Sequence, residues 1–181
     1  MPGPVIETSL KLNPAVWGLA EARRAAAEVL AHPQLLKPLL RALFGRDPVL
    51  RHHAADTSRR IAERQPQLLA PHIDRLLGLL SEIGPREAGD NWRTRAHLGL
   101  VVARVAQSRA HRLRAAGLLM PLYYDQSNVV RCTAVEGLGL LAWREPSLLV
   151  QVQPLIEEAL VTGTLAMQCR ARDAIARLAK R

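Results

Sequence analysis

The stretch from Asn91 to Tyr124 contains no acidic residue, yet its cations include Arg93, Arg104, Arg109, His111, Arg112 and Arg114. The last four follow Ser108 in the first turns of a predicted helix, where the macrodipole disfavours cations unless an anion is present. A helix N-terminus offers free amides to phosphate or carboxylate. These six residues are therefore the candidate site for an anion or a partner. The terminal segment adds Arg170, Arg177 and Arg181 on one face of a helix, which reads as the exposed border of a packed helix.

Other chemistry finds less support. His52 and Asp56 are four apart and share a helical face, but no third ligand stands at a suitable spacing, so no metal site is expected. His53 points elsewhere. Cys132 and Cys169 are too few for a disulfide framework. They take equivalent places in neighbouring helices about 8–10 Å apart, beyond the roughly 7 Å limit for a disulfide, so both are expected reduced and partly buried. Glu157 and Glu158 are adjacent on a helix and diverge. With no nucleophile elbow, phosphate-cradling Gly loop or paired metal-ligand motif, no catalysis, cofactor or metal is expected.

The elements that must position these residues follow from composition and phase. The 181-residue chain is 49% apolar but only 3% aromatic, so Leu, Ala, Val and Ile build a helical core. Its formal charge is +9, which suggests anionic partners. No apolar run approaches about 18 residues, so no membrane span is expected. The opening MPGPVIETSLKLNP lacks a basic head before an apolar segment, so it does not read as a signal peptide. A cytoplasmic setting is the default.

The phrase Pro-Gln-Leu-Leu-x-Pro occurs at Pro33 and again at Pro66. Around the second copy, Asp47-Pro48 starts a helix with Leu50, Ala54 and Ile61 on one face. Gln65-Pro66 ends it, and Leu69, Ile73, Leu76 and Leu80 mark a second helix. The pairing recurs over Ser127–Trp143 (Val130, Ala134, Leu138, Leu141) and Glu145–Leu160 (Leu148, Val152, Leu155, Ala159). A looser pair spans Asp90–Ala106 and Ser108–Tyr124, with a loop at Gly84–Gly89 before it and Pro121 expected to end or kink its second helix early. Pro14–Ala31 and Pro33–Phe44 make a first pair. Thr164–Arg181 is an unpaired first helix, capping its neighbour through Met167, Ala171, Ala174, Ile175 and Leu178. Pro38 and Pro71 each mark a short turn before the main second helix.

Aligning the first helices superposes Arg51, Arg95, Arg131 and Gln168. The segments "DPVLRHHAA" and "SNVVRCTAV" resemble the HEAT-repeat family: paired helices, an Asp or Asn near the first helix start, then Val and Arg, and a proline-led second helix. The likeness extends to small bacterial HEAT-like proteins. It implies an all-α fold, an α-solenoid (superhelix) of about four and a half antiparallel pairs, with residues 1–13 as an N-terminal extension and 14–181 as one HEAT-like repeat domain. It also implies that Arg51, Arg95 and Arg131 bridge to acids and loop carbonyls, with Asp47, Asp90 and Asp125 nearby.

The function expected on this basis is a non-catalytic protein-binding or scaffold module using a solenoid surface. The alternative is a nucleic-acid-binding protein related to HEAT-like alkylpurine DNA glycosylases. Those enzymes use an aromatic–acid–Arg pocket, whereas Trp17, Trp92 and Trp143 are scattered. The helical phase is directly testable: Leu76, Leu141 and Ile156 should be deeply buried. Leu141→Ala should cost about 2–5 kcal/mol in urea denaturation; a loss near zero would put the phase in error.

Overall fold

The computed structural model describes residues 12, 17–84 and 91–180. Residues 1–11, Pro14, most of the 84–89 loop, Asp90 and Arg181 lie outside the described residues. Among those described, regular structure is entirely helical. Nine α-helices follow one another there: α1 (Leu19–Ala31), α2 (Leu36–Leu43), α3 (Pro48–Arg64), α4 (Ile73–Glu82), α5 (Trp92–Val105), α6 (Arg109–Leu122), α7 (Asn128–Arg144), α8 (Leu149–Thr162) and α9 (Leu165–Leu178).

Three helices end in the same way. His32, Gln65 and Glu145 each precede a proline and sit at φ of −131°, −140° and −137°, because a following proline ring excludes the α conformation. Each still donates its own N–H to the carbonyl four residues back, at 2.7–2.8 Å. A 3₁₀ turn then opens at Pro33, Pro66 and Pro146. The repeated phrase is thus a repeated reversal. Pro71 falls in a second such turn, Ala70–His72. Pro38 instead lies within the first turn of α2, where a missing N–H forfeits no helical bond.

Side-chain caps fix the starts of α3, α6 and α9. The Asp47 carboxylate accepts from the amides of Val49 and Leu50 at 2.9 and 3.1 Å. Ser108 accepts from His111 N–H at 3.1 Å, and Thr164 from Met167 N–H at 3.4 Å. Asp47 is therefore spent on α3 itself.

The odd-numbered helices pack in sequence order, α1 on α3, α3 on α5, α5 on α7 and α7 on α9. The even-numbered helices lie against them, and α4 also packs on α6. Leu76, Leu141 and Ile156 are buried as the periodicity requires. Leu50 and Leu155 are only half-buried, since Val152, Ile156 and Ala159 set the inward face of α8. Met167, Ala171 and Ala174 seat α9 on its neighbours. Ile175 turns outward toward a cleft shared with Leu149 and Leu178. Cys132 is buried, but Cys169 is exposed, contrary to its expected partial burial.

α7 is approached on two sides. A Cβ on Gly137 would meet Leu119 Cδ2 at 2.4 Å, and one on Gly139 would meet Ala174 Cβ at 2.5 Å. Gly117, exposed on α6, has nothing within 4 Å. Alanine should therefore act with opposite sign at the two places. Gly117→Ala should raise stability by roughly 0.5–1 kcal/mol through helix propensity. Gly139→Ala should lower it by about 1–3 kcal/mol through overpacking. Urea midpoints moving in the same direction would refute the close approach.

Candidate functional site

The six sequence candidates do not form one cluster. Arg93 and Arg104 lie on α5, eleven residues or about 16 Å of helix apart. Arg93 covers the Trp92 ring, with its guanidinium 4.5 Å from the centroid. Arg104 reaches Glu136 of α7 at 2.8 Å and Glu63 of α3 at 3.9 Å, and Glu136 also meets Arg170 of α9 at 3.5 Å. Acids and arginines therefore alternate across four successive odd helices.

Arg109, His111, Arg112 and Arg114 do share the start of α6, and there the anion comes from this chain. Arg109 and Arg112 face the Glu145 carboxylate at 3.5 and 3.3 Å. Arg112 also donates to the Gln107 carbonyl. Arg114 pairs with Asp74 of α4 at 2.9 Å, and His111 approaches the same carboxylate at 3.7 Å. A hydrogen bond from the Ser147 hydroxyl, reinforced by Arg112 and Arg109, holds the Glu145 carboxyl below the usual carboxylate range. Beside it, Arg144 donates to the carbonyls of Ala103 and Arg104 at the end of α5. Burial, and then the charge of Arg112, lower its pKa.

Of the aligned arginines, Arg51 and Arg95 hold loops, whereas Arg131 meets the start of its own helix. Arg51 donates to the Gly45 carbonyl at 2.6 and 3.1 Å. Arg95 is buried against Asp125, Nε to Oδ2 at 2.9 Å, and Asp125 in turn accepts the Ser127 amide at 2.8 Å. Arg131 lies 3.5 Å from the Asn128 amide oxygen. Gln168, at the equivalent place in α9, donates to the Gly163 carbonyl at 3.0 Å.

His52 and His53 belong to a seam of rings that runs from Trp17, ahead of α1, across α3 to α5. His53 stacks on Trp17 at 4.2 Å with planes 9° apart, and His52 stacks on His97 at 5.7 Å. The Asp56 carboxylate stands 3.2 Å from Arg60, 3.6 Å from Arg59 and 3.9 Å from His97. Among the described residues, no group of three or more His, Cys, Asp or Glu is placed to hold a metal. Trp92 and Trp143 begin α5 and end α7, so the three indoles remain apart.

One feature was not foreseen from the sequence: a cleft of about 650 Å³ between α2 and α4. Leu36 and Leu40 floor it, and Lys37, Arg41, His72 and Arg75 line it. Arg75 lies over the ring of Phe44, the only phenylalanine, 4.0 Å from its centroid. The available signal was modest: Lys37 and Arg41 stand one turn apart on a helix without an acid. Nothing in the spacing shows that His72 and Arg75 face them.

No protein-family model, curated protein or solved structure matches the chain.

The ring seam makes stability depend on pH. Burial lowers the pKa of His53 and His97 to about 4 each, from 6.5, with His52 adding to the effect at both and Asp56 opposing it. The unfolded chain then binds more protons, so stability falls as pH drops. The contribution should be complete above about pH 6.5 and lost progressively toward about pH 4. Urea midpoints at pH 7.5 and 5 should show that fall, and His53→Phe should reduce it. A flat profile in the parent chain would refute the buried neutral imidazoles.

Proposed function

We propose that this chain is a HEAT-like α-solenoid of about four and a half helix pairs, acting without catalysis as a binding module for a protein partner in the cytoplasm. The solenoid reading is supported by the sequential packing of α1, α3, α5, α7 and α9 and by three proline-led reversals of one geometry. Stacked pairs present an extended surface on their second helices, which here are α2, α4, α6 and α8.

The observation that carries the binding role is the α2–α4 cleft, where cations border an apolar floor. On α6 the cations meet carboxylates of this chain, Arg109 and Arg112 with Glu145 and Arg114 with Asp74, whereas Lys37 and Arg75 meet none among the described residues. Nucleic-acid binding, with or without base-excision chemistry, asks for arginines gathered in one continuous stripe tracking the phosphates. Asp74 and Glu145 interrupt any stripe through α6, which favours the protein partner.

The test is an affinity purification with and without nuclease, followed by hydrogen exchange on the purified complex. Retained protein should survive nuclease treatment and protect amides of α2, α4, α6 or α8. Material lost entirely to nuclease, or protection confined to the odd helices, would overturn the reading.

A further inference from the structure

We propose that the α2–α4 cleft binds a short segment of a partner protein in which carboxylates flank an apolar anchor; this rests on the protein-binding reading above. Among the described residues the charge of the cleft is one-sided. α2 contains no acid. The acids of α4 are Asp74, turned to Arg114 and His111, and Glu82 at the far end of the helix. Lys37 and Arg75 are exposed, and among the described residues neither forms an ion pair with a carboxylate of this chain.

The floor decides which anion fits. Leu40 is almost wholly buried and Leu36 half-buried, so an apolar side chain seated on them removes further apolar surface from water. A phosphate gains nothing there. The Phe44 ring beside the cleft is already covered by Arg75, so it offers no stacking platform for a base, which leaves only the imidazole of His72 among the aromatic rings lining it. The cationic border is also short. An eight-residue α2 spans about 12 Å, room for three or four extended residues at about 3.3 Å each. Beyond it, the cations of α6 are paired with Asp74 and Glu145, and Glu157 and Glu158 of α8 bring negative charge.

The Phe44 contact has a second effect. It holds the Arg75 guanidinium in place before binding, so less freedom is lost when a carboxylate arrives. Lys37 opposite is a flexible point charge that adapts to the second carboxylate. An acidic residue on either side of a Leu, Ile or Phe anchor matches both borders.

The experiment screens phage-displayed random peptides against the full chain, then measures the enriched peptides in solution. Enriched sequences should combine Asp or Glu with Leu, Ile or Phe, and their affinity should fall as salt rises. Lys37→Glu should weaken them by roughly tenfold or more without moving the unfolding midpoint. Arg75→Gln, which keeps a polar side chain at that border, should weaken them in the same sense. Fluorescein-labelled oligothymidylate serves as the nucleic-acid arm and should not compete with the peptides. If acidic–apolar peptides are enriched but bind both variants like the parent, the cleft assignment falls while the binding-module reading stands. Enrichment of basic or neutral peptides, or of none, overturns the proposal. Should oligothymidylate alone bind and Lys37→Glu abolish it, the protein-binding reading falls as well.

Discussion

A proline nitrogen carries no hydrogen, and its ring keeps the preceding residue out of the helical region. Three of the chain's long helices stop on that constraint, at His32, Gln65 and Glu145. The stop is also a reversal, because the 3₁₀ turn that follows starts the next helix back across the one just ended. Each reversal sets an apolar face of α2, α4 or α8 against the odd helices. Where the proline is absent, at Ala106–Ser108, α6 starts directly from its Ser108 cap. The cleft lies between two proline-led helices, and the turn residue His72 forms part of its border.

The arginines act largely as internal fasteners. Arg95 is the most committed, with its guanidinium buried against Asp125. Such a pair offsets a large desolvation cost and contributes little net stability, but removing one partner strands a buried charge. Arg144 meets carbonyls that the end of α5 cannot satisfy itself. Arg104 joins α5 to α3 and α7 through two carboxylates. A formal charge of +9 therefore overstates what the molecule offers to an anionic partner.

Helix ends were legible because proline, Asp and Ser act on neighbouring residues. Asp47, Ser108 and Thr164 cap their own helices, and Leu76, Leu141 and Ile156 lie where a 3.6-residue period puts them. Partners across helices were not legible. Arg114 finds Asp74 forty residues upstream, and Arg112 finds Glu145 thirty-three residues downstream, distances at which spacing carries no phase information. The acid-free stretch thus looked like an open anion site because its acids are supplied by α4 and by the turn after α7. Cys132 and Cys169 share a register but not an environment. α7 has odd helices on both sides, whereas α9 packs chiefly on α7 and α8.

The two close approaches on α7 bear on the order in which structure forms. Gly137 and Gly139 each leave the helix about 1 kcal/mol poorer in intrinsic propensity than alanine would. Alone in water, α7 is a weak helix despite its seventeen residues. Its order is borrowed from α5, α6 and α9, whose side chains occupy the space those glycines leave free. Zippering inward from one end, helix by helix, is therefore disfavoured in this half of the chain. α7 and its neighbours condense together, and loosening α9 withdraws support from the helix that α5 and α6 also lean on.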